Sequence, residues 1–256
     1  IGMLQAMGLI EAKDLDDTAF LGELAFDGVV RPAHGVLPVA MMLHKRGVKR
    51  LIVPQKNVDE GAIVHGVHVF GVQSLDEAIE LVTGNSAQEP HTLDIDAVFA
   101  AASSRHTTDM KDVKGQLGVK RALEVAAAGG HNLIMVGPPG AGKTMLAKRL
   151  ATILPPLSLA EALETTTIHS VAGLLPPGQP LVTQRPFRAP HHTISDAALV
   201  GGGVGVVRAG EITLAHHGVL FLDEVPEFQR NVLEVLRQPL EEHRIRLSRT
   251  RMTVEY

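Results

Sequence analysis

The chain has 256 residues, 45% apolar and 20% charged, with a formal net charge of −4, a single Tyr, no Trp and no cysteine. That length holds one large or two ordinary domains with a sizeable core, and the missing cysteines exclude disulfides, thiol catalysis and cysteine-ligated zinc or iron–sulfur sites. No apolar run reaches the roughly 18 residues of a membrane span, and a negative chain has no global attraction for nucleic acid, so any DNA contact must come from local patches.

The first residues, Ile1-Gly2-Met3-Leu4-Gln5, lack the basic region of a secretory signal, and with the absence of cysteine the expected compartment is the cytoplasm. The sequence opens without an initiator Met in a helical pattern and stops at Tyr256 in a strand pattern, so it reads as a fragment. Phe20 to Leu24, Leu51-Ile52-Val53 and Val67 to Val72 read as strands, and Pro38 to His44 and Asn57 to Val64 as helices. Ser74-Leu75-Asp76-Glu77 is a capping box opening a helix through Val82. Residues 1–84 are thus expected to form an α/β domain of their own.

These residues resemble the Lon-protease-like domain, a ribosomal-protein-S5-type α/β fold. The likeness is carried by Gly22-Glu23-Leu24, by the stretch from Gly28 through Leu37, and by Val48-Lys49-Arg50-Leu51-Ile52-Val53-Pro54. In Lon-type peptidases a catalytic Lys follows a Gly-Gly-aliphatic segment; the corresponding position here is Leu37, which can neither accept nor donate a proton. The resemblance therefore implies an inactive domain with a structural or assembly role. Residues 85–108, rich in Gly, Pro, Ser and Asn at their start, read as a linker, with a short helix over Asp94 to Ala102.

The segment from Asp109 to Gln116 leads into an amphipathic helix through Ala128. Asn132-Leu133-Ile134-Met135-Val136 then reads as a buried strand, and Met145 to Ala151 as a helix. Between them stands Gly137-Pro138-Pro139-Gly140-Ala141-Gly142-Lys143-Thr144, the phosphate-binding pattern in its strand–loop–helix setting. Its glycines let backbone N–H groups curl around phosphate oxygens, and the helix N-terminus adds a favourable dipole. Lys143 would reach the β- and γ-phosphates, and the Thr144 hydroxyl would ligate Mg²⁺. Gly218-Val219-Leu220-Phe221-Leu222-Asp223-Glu224 is an apolar strand ending in two acids. There Asp223 would hold Mg²⁺ and Glu224 would polarise the attacking water. Both strands are expected to end at one edge of a parallel sheet.

The segment from Asp109 to Gln116 resembles the entry to AAA+ ATPases, which implies that Val113 and Gln116, with Met145 after the loop, line the nucleotide. The run Gln184-Arg185-Pro186-Phe187-Arg188-Ala189-Pro190-His191-His192 and the segment from Arg208 into His216-His217-Gly218 resemble the YifB/ComM branch of the magnesium-chelatase-I-like AAA+ ATPases. That branch carries a Lon-like domain ahead of the ATPase core. The resemblance implies a P-loop AAA+ αβα core over residues 109–256, with the lid, sensors and arginine finger expected after it. It further implies ATP and Mg²⁺ as cofactors, a hexameric ring, and a DNA motor for branch migration in recombination or transformation. The fragment alone is expected to bind ATP–Mg²⁺ weakly and turn it over slowly.

Arg230 to Glu242 reads as a helix, followed by a hairpin with Arg244 and Arg246 on one face, Arg249 near the tip and Arg251 beyond it. By resemblance this is a pore-facing hairpin; its arginines read equally as phosphate contacts or as a solvated edge. Neighbouring histidines on a strand point apart, so the pairs His191-His192 and His216-His217 are expected to pack or hydrogen-bond rather than bind metal. Three other activities stay open: a chelatase ATPase subunit, a nucleotide-binding regulator without turnover, and, disfavoured by Leu37, an ATP-dependent protease.

Overall fold

Leu51-Ile52-Val53 and Val69 to Val72 carry the apolar runs that a parallel sheet covered on both faces demands, and they become its central strand and the neighbour paired with it. The structure, a computed structural model, describes residues 1–103, 108–176, 178–202, 208–242, 246–249 and 252–255. It divides into two units, residues 1–100 with 169–182, and residues 101–168 with 183–256.

In the first unit the helices are α1 (Gly2–Ala6), α2 (Val36–Arg46), α3 (Val58–Ala62), α4 (Leu75–Thr83) and α5 (Ile95–Ser103), which runs across the boundary. The strands are β1 (Thr18–Phe20), β2 (Glu23–Leu24), β3 (Val30–Arg31), β4 (Arg50–Pro54) and β5 (His68–Val72). β1, β4 and β5 form a three-stranded sheet in that order, parallel throughout. Side chains alternate across the sheet with period two. Leu51, Val53 and Val69 face one cluster with Val36, Ala40 and Leu43 from α2, while Ile52, Phe70 and Val72 face a second with Ala78, Leu81 and Val82 from α4. The run from Phe20 to Leu24, read as one strand, is two: β1 joins the sheet, and β2 pairs antiparallel with β3.

α4 starts where its capping signal places it. Ser74 Oγ accepts the Glu77 N–H at 3.2 Å, and the Glu77 carboxylate reaches back to the Gln73 N–H at 2.7 Å rather than to the cap residue itself. Within the stretch read as a linker, Gln88 Nε2 donates to the Gly71 carbonyl at 3.0 Å and the His91 N–H to the Val69 carbonyl at 2.8 Å, so these residues dock beside β5.

A polar cluster lies inside this unit. Glu60 is 8% exposed; its Oε1 accepts the Leu37 N–H at 2.9 Å and the Ser170 hydroxyl, and its Oε2 accepts Asn57 Nδ2 at 3.2 Å. Asn57 in turn brackets Ala33, accepting its N–H at 3.1 Å and donating to its carbonyl at 3.0 Å. Such a carboxylate is tolerated only because its lone pairs are used. Leu37 itself is fully buried, an apolar core residue.

The second unit holds α6 (Leu117–Gly129), α7 (Lys143–Leu150), most of α8 (Leu159–Val171), α9 (Asp196–Val200), α10 (Glu211–Leu214), α11 (Arg230–Glu234) and α12 (Arg237–Glu242). Its strands are short: β6 (Phe187–Arg188), β7 (Gly201–Gly202), β8 (Arg208–Ala209), β9 (Val219–Leu220), β10 (Arg246–Arg249) and β11 (Met252–Glu255). β9 pairs parallel with β6, a partner absent from the sequence reading. Gly218 permits the approach, since a Cβ there would come 2.1 Å from the Pro186 carbonyl oxygen. Residues 132–136, expected as a strand, are not one, and Ile134 and Val136 are 81% and 93% exposed. The helix expected over Arg230 to Glu242 breaks at Val235 and Leu236 into α11 and α12. Among the described residues no helix is long and apolar enough to cross a membrane.

Candidate nucleotide site

Gly140 and Gly142 take φ values of +77° and +83°, the left-handed region that other residues enter only at a cost. With these two turns the loop wraps into α7, which begins at Lys143 and is closed by the Leu146 N–H bonding the Gly142 carbonyl at 2.9 Å. No atom lies within 4 Å of a Cβ built on Gly140, so the loop backbone is open to a ligand. Lys143 Nζ curls over the loop, donating to the carbonyls of Gly137 at 2.9 Å and Pro138 at 3.1 Å.

The two acid-and-loop motifs meet. Thr144 Oγ1 donates to Asp223 Oδ2 at 2.7 Å, across 79 positions of sequence. Asp223 Oδ1 accepts the Glu224 N–H at 3.1 Å. The strand expected to run into the acids stops at Leu220, and Glu224 lies in the turn beyond it with a φ of +54°, its side chain 69% exposed and its Oε2 3.9 Å from His192 Nδ1. This proximity of His192 to Glu224 was not legible in the sequence. Hydroxyl and carboxylate oxygens at hydrogen-bond distance make a donor set suited to a hard cation such as Mg²⁺.

The remaining expected contacts divide. Gln116, at the start of α6 with a φ of +53°, donates through Nε2 to the Ala141 carbonyl at 3.4 Å, so it joins the loop. Val113 turns its side chain into an apolar cluster with Met110, Leu123 and Leu146, against which Met145 packs, and its carbonyl accepts from Lys120 Nζ. Arg246 and Arg249 lie on β10, opposite Glu255 and Met252 in the β10–β11 hairpin. Arg244 and Arg251 lie outside the described residues.

The segment before β9 is tied down by charge. Arg188 grips Glu211 with two bonds of 2.6 and 2.7 Å, a bidentate pair that raises the Arg188 pKa further. Arg185 donates to the His217 carbonyl at 2.7 Å and lies 3.3 Å from Glu161 Oε1. His216 and His217 do not point apart. They follow α10 in a turn rather than a strand, and His217 has a φ of +55°, which brings the two rings to 3.9 Å between centroids.

Comparison with known proteins places the chain. The family model for magnesium chelatase subunit ChlI matches residues 109–256, and a model for subunit ChlI of Mg-chelatase matches residues 1–57. The competence protein ComM of Haemophilus influenzae is 42% identical over all of this chain and 50% of its own length. The uncharacterized protein YifB of Escherichia coli is 43% identical over all of this chain and 49% of its own, and the uncharacterized protein Rv2897c of Mycobacterium tuberculosis is 48% identical over 92% of this chain and 46% of its own. The chain thus spans about half the length of the curated relatives it matches. With more than half of its residues under the first family model, the chain belongs to the magnesium chelatase subunit ChlI family of AAA+ proteins, in its YifB/ComM branch.

Proposed function

We propose that this chain supplies the nucleotide site of a Mg²⁺-dependent AAA+ ATPase that works as a cytoplasmic ring motor, hexameric in the family's manner, on DNA. The observation that carries the ATPase reading is the 2.7 Å bond from Thr144 to Asp223, which joins the phosphate loop to the acidic pair that follows β9. The loop glycines offer backbone N–H groups to phosphate oxygens, and α7 directs the positive end of its dipole at them. With nucleotide bound, Lys143 would exchange its two loop carbonyls for phosphate oxygens, Thr144 and Asp223 would hold the cation, and Glu224 would orient and polarise the attacking water. Bound Mg²⁺ supplies charge neutralisation on the transferred phosphate. Gln116, touching the loop, closes the side nearest α6.

DNA as the substrate, with branch migration as the work done, rests on the full-chain likeness to a competence protein and on the arginines of the β10–β11 hairpin. A chelatase ATPase subunit is the second reading, favoured by the family model over residues 109–256. The first 84 residues are read as an inactive Lon-like domain, because Leu37 is fully buried where an amine would be required. ATP hydrolysis measured with and without DNA, on the native protein and on Glu224→Gln, tests the proposal. DNA-stimulated turnover that the substitution abolishes supports it; stimulation by a chelatase partner alone overturns the motor.

A further inference from the structure

Away from the phosphate loop the second unit gathers a different kind of donor set. Nε2 of His216 lies 3.3 Å, and Nε2 of His217 2.7 Å, from Glu164 Oε2, and one ligand atom from each of the three residues lies within 4.8 Å of the others. The left-handed turn at His217 makes this possible, since it overrides the alternation that sends neighbouring side chains to opposite faces. Tetrahedral ligands around a zinc ion stand about 3.3 Å apart, which is the separation already present between His216 and Glu164.

The surroundings are those of a built site. Nδ1 of His217 lies 3.5 Å from Glu161 Oε1, so a second carboxylate stands beside the ring nitrogen that does not face Glu164. Glu161 is anchored in turn by the Ser158 N–H at 2.8 Å and by Arg185. Hydrogen bonds, first from His217 and then from His216, hold the Glu164 carboxyl below the usual carboxylate range, so it stands ready as an anionic ligand. The group is partly open, with side-chain exposures of 61% for Glu164, 43% for His216 and 26% for His217, leaving room for water to complete the coordination.

We infer that Glu164, His216 and His217 form a binding site for a borderline divalent transition metal, Zn²⁺ foremost, separate from the Mg²⁺ site at Thr144 and Asp223. Two imidazoles and one carboxylate favour Zn²⁺, Co²⁺ or Ni²⁺ over Mg²⁺, which takes oxygen ligands. The ion would staple α8 to the turn that launches β9. From His217 to Asp223 the chain covers at most roughly 20 Å, so the staple would fix the root of the segment that runs through β9 to the acids.

The test uses the chain without a histidine tag, dialysed against Zn²⁺ in excess Mg²⁺. One equivalent of zinc is expected to remain bound. Glu164→Gln and His216→Ala should each weaken binding roughly tenfold or more, while His191→Ala should leave it unchanged. Glu164→Gln preserves shape at an exposed position, so its fold can be verified by circular dichroism. The unsubstituted chain gives an independent readout, because bound Co²⁺ should show the visible spectrum of imidazole ligation. Absence of saturable zinc binding, or an affinity that Glu164→Gln and His216→Ala leave unchanged from the native chain, overturns the site.

Discussion

The two units are built on different terms. In the first, Leu51, Val53 and Val69 are fully buried, and strands of five residues pair along their whole length. In the second, apart from the β10–β11 hairpin, strands pair over two residues, and the apolar run before the phosphate loop is exposed at Ile134 and Val136. Charged and polar contacts take over there: Arg188 to Glu211, Arg185 to Glu161, Thr144 to Asp223. The contrast teaches that an apolar strand pattern is a demand for neighbours and forms a ladder only where partners are at hand. It also separates the features, with the longest parallel pairing in the first unit and the phosphate-loop and acidic motifs in the second.

That separation can be broken by experiment. The largest effect is expected from Glu224→Gln, which should lower ATP turnover by about 10²–10⁴-fold, the usual weight of a positioned general base, with an unchanged unfolding midpoint. Next, Leu51→Ala should cost about 2–5 kcal/mol in denaturant unfolding, because it empties a fully buried position that cannot fully collapse. Glu60→Ala should cost about 1–3 kcal/mol by leaving the Leu37 N–H and Asn57 Nδ2 unpaired in the interior; a loss no larger than that of a surface substitution would refute the assigned role. Arg188→Ala should cost about 1 kcal/mol, having removed a half-exposed bidentate pair. Val136→Thr, at a 93% exposed position, should move stability by less than about 0.5 kcal/mol. If Val136→Thr proved as damaging as Leu51→Ala, the contrast between the units would fail.

Much of the site was legible because its chemistry is local. The glycines, Lys143 and Thr144 occupy consecutive positions whose backbone need dictates residue type, and Asp223-Glu224 ends an apolar run. The caps of α4 and the two-residue period of β4 and β5 are local too. What escaped were pairings between distant segments. Nothing in Pro186-Phe187-Arg188 announces a parallel partner for β9, and no pattern in residues 169–182 says that they belong with the first hundred residues. The meeting of His216 and His217 escaped for a different reason. It depends on both histidines lying in the turn after α10 rather than on a strand, and no local pattern announces that turn.

The Ser170 hydroxyl reaches the Glu60 carboxylate from 110 positions downstream, and this sets a schedule for synthesis. The ribosome releases the sheet and helices of residues 1–100 first, yet the segment 169–182 that completes this unit emerges roughly 4–16 s later at ordinary elongation rates. During that interval Glu60 lacks a partner supplied by the later segment, and water must serve in its place. The first unit to leave the tunnel is therefore the one that cannot be finished until the phosphate loop has already been made, which links the birth of the stable half to that of the chemical half.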